Sequence, residues 1–189
     1  FESFFVGGFV RDKLMGIKSK DIDVVTNADP NEIREIFKDC SFKAKGKKFL
    51  VSYVDNIEVA TYRKDTYHGL DSSSVDIEKV KTLEEDVSRR DLTINAIAMD
   101  PFTGDIYDYV NGIEDLKNKI IRFVGEPRFR IWEDPNRIIR ACRFYAMLDG
   151  TIEENTFTSL KENASYVSEF VDVDRIRLEI LKAMKIKKA

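Results

Sequence analysis

Soft ligands are scarce in this chain of 189 residues, which has two cysteines, Cys40 and Cys142, and one histidine, His68. Two thiols make no disulfide framework, and so few thiol and imidazole groups leave too little for a zinc site. Nucleophilic catalysis by serine or cysteine fits poorly as well, because His68 alone would have to supply the base. No apolar run approaches the roughly 20 residues needed to cross a bilayer. The N-terminus also lacks the charged-then-apolar layout of a signal peptide, so no membrane partner is expected and a cytoplasmic setting is. A large excess of one charge is missing too: 31 Lys+Arg against 34 Asp+Glu leave a net −3. Taken alone, that mild negative balance argues weakly against nucleic acid as a partner. What is present, 43% hydrophobic and 34% charged residues, describes a globular protein long enough for an ample core.

The chain opens at Phe1 rather than at Met and stops in the basic stretch Lys182–Ala189 with no Gly or Pro terminator, so it is expected to be part of a longer protein. Phe4–Val6 reads as a short buried strand, ended by Gly7-Gly8 and followed by a helix from Phe9 to about Met15, with Gly16 as its stop. Asp21–Thr26 alternates as a strand, and Asp29-Pro30 opens a helix to about Lys38. Lys48–Val54 and Ile57–Arg63 are β-rich runs joined by a hairpin turn at Asp55-Asn56. Residues 64–82 are polar and contain Ser72-Ser73-Ser74, the pattern of a mobile loop. Ile94–Met99 and Ile106–Val110 are expected to pair across Pro101–Gly104, and Ile120–Val124 is a further β-rich run. Helices are predicted over Pro135–Leu148, Glu153–Asn163 and Asp174–Lys185. The sum is an α+β protein, a small mixed sheet with helices followed by a helical extension.

Three constellations carry chemistry. In the first, Gly7-Gly8-Phe9-Val10-Arg11-Asp12 precedes Asp21-Ile22-Asp23. Paired glycines between strand and helix let a ligand approach the backbone, and a helix start with Arg11 in its first turn suits phosphate. On a strand, Asp21 and Asp23 share one face while Ile22 and Val24 face the core. Two hard carboxylates without His or Cys suit Mg²⁺ carrying a nucleoside triphosphate. The bland alternative is a plain turn beside two surface acids. The second constellation, Arg89-Arg90-Asp91-Leu92-Thr93-Ile94-Asn95-Ala96, offers donors for phosphate and an acceptor for a sugar hydroxyl, or else a surface ion-pair cluster. In the third, Asp134, Arg137 and Arg140 fall at i, i+3, i+6 on one helical ridge, with Ile138, Cys142 and Ala146 as the buried side. An Asp beside an Arg fork can match a nucleobase edge; its rival is a solvated, salt-bridged face with Asp134 as N-cap.

In this order the motifs resemble the head and neck of the class II tRNA nucleotidyltransferase (CCA-adding enzyme) and bacterial poly(A) polymerase family. The match runs through Gly7–Asp12, Asp21–Asp23, Ile57–Arg63, Arg89–Ala96 and Glu133-Asp134-x-x-Arg137, with Asp174–Glu179 resembling the neck motif. The resemblance implies a polymerase-β-like head over residues 1–124 and an all-helical neck over 125–189. It implies that Asp21 and Asp23 hold Mg²⁺ while an RNA 3′-hydroxyl attacks the α-phosphate of ATP or CTP, releasing pyrophosphate. Gly7, Gly8, Arg11, Arg90, Asp91 and Asn95 would bind the nucleotide, with Arg90 and Asp91 on phosphate and ribose. Asp134 and Arg137 would template the base, supported by Arg140 and Arg143. Glu58 would be a third carboxylate or a structural one. Lys64–Asp71 has no Arg where CCA-adding members carry an Asp-Gly-Arg element, so CCA, CC-only, A-only and poly(A) addition all stay open. Gly46-Lys47-Lys48-Phe49 resembles a poly(A) polymerase stretch or is a solvated hairpin strand. The implied partners are ATP, CTP and an RNA 3′ end, most naturally tRNA. A rival of another class is a catalytically silent RNA- or nucleotide-binding module. No oligomeric state is implied. The net −3 then averages an acidic metal site with Arg-rich nucleotide elements and no longer argues against RNA.

Overall fold

The computed structural model describes residues 1–19, 21–44, 50–70 and 75–186; the Gly46–Phe49 and Ser72–Ser74 stretches lie outside the described residues. The chain gathers into two compact units, one of residues 1–66, 76–90 and 95–112, the other of 67–75, 91–94 and 113–189.

In the first unit, β1 (Ser3–Val6) turns at Gly7 into α1 (Gly8–Leu14), and β2 (Asp23–Thr26) leads into α2 (Pro30–Ile36). Asp29 caps α2 by accepting from Asn31 and Glu32 N–H at 2.8 and 3.0 Å, and Glu32 reaches back to the Asp29 N–H at 2.7 Å. That reciprocal box, with Pro30 in the first turn, explains why so short a helix starts cleanly. Strands β3 (Phe42–Ala44), β4 (Val51–Val54) and β5 (Ile57–Thr61) follow. Asp55 and Asn56 take φ of 47° and 70°, as a tight hairpin between β4 and β5 requires.

Next come β6 (Arg63–Tyr67), β7 (Val75–Lys79), α3 (Leu83–Ser88), β8 (Ala98–Met99) and β9 (Ile106–Tyr107). Strands β6 and β7 pair, which corrects the expected loop over 64–82. The signal was hidden because β6 alternates half-buried with exposed residues using charges, Arg63 meeting Asp65 at 3.1 Å, so the segment reads as polar.

Among the described residues the main sheet has seven strands, in the order β3-β4-β5-β2-β1-β8-β9. Strands β2 and β5 run parallel, with Asp23 opposite Glu58, and β1 runs antiparallel to β2, with Val6 opposite Asp23. Ala28, Ile33, Val54 and Val59 form a core under α2, with Val24 packed against it as expected. By alternation Asp23 then shares its face with Val25, the opposite side of the sheet.

In the second unit, α4 (Gly112–Lys117), β10 (Ile120–Ile121) and α5 (Pro127–Glu133) lead to the long α6 (Asn136–Leu148). Strand β11 (Thr151–Ile152), α7 (Glu154–Glu162), α8 (Tyr166–Phe170) and α9 (Val173–Met184) complete it. The regular elements described within residues 125–186 are helices but for β11, which pairs in parallel with β10. The buried stripe of α6 is Ile138, Ala141, Phe144 and Leu148, whereas Cys142 and Ala146 are exposed. This corrects the expected Ile138–Cys142–Ala146 face: spacings of three and four beginning at Ile138 allow either stripe, and the larger Phe144 and Leu148 take the interior. Among the described residues, no helix is long and apolar enough to cross a membrane.

Candidate active site

The first unit assembles its site around one turn. Gly7 has φ +68° and ψ −137°, a conformation that glycine alone adopts cheaply. A Cβ built there would lie 3.4 Å from Asp23 Oδ2 and 3.9 Å from Arg90 Nη1, so carboxylate and guanidinium face the same bare stretch of backbone. One turn into α1, the buried Arg11 donates from Nη1 to Asn95 Oδ1 at 2.6 Å, and from Nε and Nη2 to Asp12 Oδ1 at 3.0 and 2.6 Å. Arg11 and Asn95, singled out separately in sequence, thus form one hydrogen-bonded pair.

Asp23 is the first residue of β2, and Asp21 precedes the strand rather than belonging to it. Both still line one open cleft of about 290 Å³ with Tyr53, Asp55 and Glu58. The Tyr53 hydroxyl donates to Glu58 Oε2 at 2.7 Å. Burial raises the Asp23 pKa first, Glu58 and Asp21 add to the rise, and Arg90 opposes it without cancelling it. Negative charge is therefore concentrated beyond what the local cation neutralises. Such a hard-oxygen donor set fits a divalent cation of the Mg²⁺ type, which takes one or two carboxylates and completes its shell from phosphate and water. Among the described residues, no group of three or more Asp, Glu, His or Cys is disposed to hold a metal unaided.

Arg90 is anchored from behind: its Nη2 donates to Asp86 Oδ2 at 3.0 Å. Asp86 escaped the sequence reading, although its i, i+3 and i, i+4 spacing to Arg89 and Arg90 was the signal that could have found it.

In the second unit the predicted base-reading residues are tied to one another and to α9. Asp134 ends α5 with extended backbone, which breaks the expected continuous ridge; only Arg137, Arg140 and Arg143 lie on α6. Its Oδ1 accepts the Asn136 N–H at 3.1 Å and its Oδ2 accepts from Arg175 of α9 at 2.7 Å. Arg137 is buried, pairs with Glu133, donates to the Arg130 carbonyl at 3.1 Å, and lies with its guanidinium 6.0 Å from the Tyr67 ring centre. Arg140 grips Asp91 Oδ2 through Nε at 2.8 Å and Nη2 at 2.6 Å. Burial would raise the Asp91 pKa, but Arg140 and the Leu92 N–H outweigh it and hold the carboxyl below its ordinary range. Arg143 donates to Glu179 Oε2 at 2.6 Å and stacks 4.2 Å from the Phe144 ring centre. Glu179 also faces Arg140 at 3.7 Å and Lys182 at 3.1 Å. Glu179 and Arg175 were read only as part of a neck motif; their grip on α6 depends on a tertiary contact that spacing cannot disclose.

Known proteins are similar to this chain over nearly its whole length. A CCA-adding enzyme of Ligilactobacillus salivarius is 40% identical over 186 residues, 97% of this chain and 46% of that protein. One from Enterococcus faecalis is 40% identical over 187 residues, again 97% of this chain and 45% of its own length. The chain thus spans about half the length of the relatives it matches. The crystal structure of Bacillus stearothermophilus CCA-adding enzyme in complex with CTP superposes with a TM-score of 0.84 at 35% identity, covering 96% of this chain and 44% of that one. Thermotoga maritima CCA-adding enzyme complexed with tRNA gives a TM-score of 0.77 at 31% identity over 98% of this chain and 43% of that one. The α+β fold is that of these enzymes, with the polymerase-β-like head that the resemblance implied. Residues 3–122 match the family described as the poly A polymerase head domain, and the chain belongs to that family.

Proposed function

We propose that this chain is the nucleotide-handling part of an Mg²⁺-dependent enzyme that adds CMP and AMP, from CTP and ATP, to the 3′ end of tRNA, releasing pyrophosphate. The observation that carries the proposal is the convergence of Asp23, Arg90 and the Cβ-less Gly7 at one turn, with Asp21 in the adjoining cleft. The relatives support it, being named CCA-adding enzymes and described in complexes with CTP and tRNA. In this reading residues 1–124 form the head and 125–189 the neck. Asp21 and Asp23 hold the metal through their oxygens, and Glu58, engaged by Tyr53, raises the negative potential beside them. A divalent metal held there would supply Lewis-acid chemistry, lowering the pKa of the attacking hydroxyl and offsetting charge at the phosphate. Gly7 and Gly8 leave room for the triphosphate at the backbone, and Arg11 and Arg90 supply its charge-assisted donors, with Asn95 fixing Arg11. Asp91 presents an acceptor to the ribose while Arg140 holds it in place. Asp134 and Arg137 read the base edge, and Arg143, stacked on Phe144, supports α6, the helix that carries Arg137.

The family description keeps poly(A) addition as the second reading. One experiment separates them: the protein is incubated with tRNA transcripts ending before CCA, after CC and after CCA, with each nucleotide singly and together, and the products are sequenced. Addition that stops at CCA is expected. Unbounded A tracts would favour the second reading, and undiminished incorporation by Asp21→Ala and Asp23→Ala variants would refute the metal assignment.

A further inference from the structure

Asp86 has no part in the chemistry described above, yet its side chain is fully buried at the last turn of α3. Oδ1 accepts from Arg89 Nε at 2.9 Å, Arg89 Nη2 at 2.6 Å and the Arg63 backbone N–H at 3.2 Å; Oδ2 accepts from Arg90 Nη2 at 3.0 Å. Arg89 reaches on to Asp65 at 3.4 Å, and Asp65 meets Arg63 at 3.1 Å. The side chains of Arg63, Arg89 and Arg90 thus converge on the carboxylates of Asp65 and Asp86. Helix α3 is already capped by Thr82 and Glu85, so its formation does not call for Asp86. The exit from the cluster is Arg90. Its Nη1 faces Gly7, and its buried Nε has no hydrogen-bond partner among the described residues. A guanidinium pinned at one nitrogen, with another buried donor unsatisfied, is set to receive an anion.

We propose that Asp86 is a positioning residue for nucleotide binding, holding Arg90 in the orientation that meets the triphosphate. The inference rests on the assignment of Arg90 to phosphate in the preceding reading. Two roles for a buried carboxylate separate by sign. As a mere counter-charge Asp86 would oppose anion binding, so neutralising it would tighten binding. As a positioner it favours binding, and displacing it loosens binding.

The test measures binding of inorganic tripolyphosphate and of ATP to the 189-residue chain by calorimetry, well below the melting temperature of each variant. Asp86→Glu keeps the charge and moves the carboxylate by one methylene; about tenfold weaker binding is expected, the size of one mispositioned charge-assisted hydrogen bond. In an Arg90→Gln background the same Asp86 change should have no further effect, because its influence passes through Arg90. Should Asp86→Glu not fold, the isosteric Asp86→Asn replaces it, with weaker binding again expected. Unchanged or tighter binding in a folded Asp86 variant, or an undiminished effect in the Arg90→Gln background, overturns the inference while leaving the proposed function intact. A wild-type chain that binds neither ligand removes the phosphate assignment itself, and the inference with it.

Discussion

Asp23→Asn should make the apo chain more stable. The wild-type carboxylate is half-buried and sits directly across parallel strands from Glu58, with Asp21 two residues away and only Arg90 in opposition. Like charges facing each other across strands cost about 0.2–1 kcal/mol per pair. With Arg90 offsetting part of the repulsion from two neighbours, removing the Asp23 charge should gain about 0.5–1 kcal/mol. For a chain of this length that raises Tm by about 1–4 °C. The pH dependence fixes the cause. Because the folded-state pKa of Asp23 is raised, the penalty is complete above that pKa and disappears below the unfolded value of about 3.9. The variant's advantage should therefore be full at pH 7.5 in EDTA and shrink steadily as the solution is acidified through pH 4. Added Mg²⁺ should reverse the ranking by stabilising wild type through binding linkage and leaving the variant unmoved. Thermal unfolding followed by circular dichroism reads all three effects. A variant less stable than wild type at pH 7.5 without divalent ions would show that Asp23 is a structural ion-pair member and that the charge-concentration argument is wrong.

Two further outcomes follow from the same geometry. Gly7→Ala forces φ +68° on a residue with a Cβ and sets a methyl 3.4 Å from Asp23 Oδ2; it should cost about 1–3 kcal/mol in urea unfolding and lower nucleotide incorporation. Glu179→Ala leaves Arg143 and its neighbours without their buried carboxylate. The loss should be about 3 kcal/mol, the low end for a broken buried pair because Lys182 and Arg140 stay partly hydrated. Burial would raise the Glu179 pKa, but Arg143 and Lys182 outweigh it and lower it, so that stabilisation is present above pH of about 4.5 and fades on acidification; the gap to wild type should close accordingly.

Local patterns made much of the molecule legible. Phe4–Val6, the Gly-Gly turn, the Asp29-Pro30 helix start and the Asp55-Asn56 hairpin each announce themselves within a few residues, because turn and cap chemistry is local. Asp21, Asp23 and Arg90, the residues proposed for metal and phosphate, stood out for a different reason: their order and spacing form a motif. What escaped depends on distance in sequence. Strand β6 was hidden because its inward residues are charged and find their partners in Asp65 and Arg89, 24 residues apart. The environment of Asp134 is set by Arg175, 41 residues away, and that of Arg143 by Glu179, 36 residues away. The wrong stripe on α6 came from a genuine ambiguity of helical spacing that only packing resolves.

The strand order also sets a timetable for synthesis. Strand β1 sits between β2, its early neighbour, and β8, whose residues Ala98–Met99 arrive 72 positions after Thr26. On a ribosome adding about 5–20 residues per second, one flank of β1 waits about 4–15 s for its partner. Throughout that interval Phe4, Phe5 and Val6 stand at an unpaired sheet edge, the arrangement most prone to capture by another chain. A nascent head would thus be most vulnerable just before residue 99 emerges, and a slow codon cluster beyond that point would be harmless where one ahead of it would not.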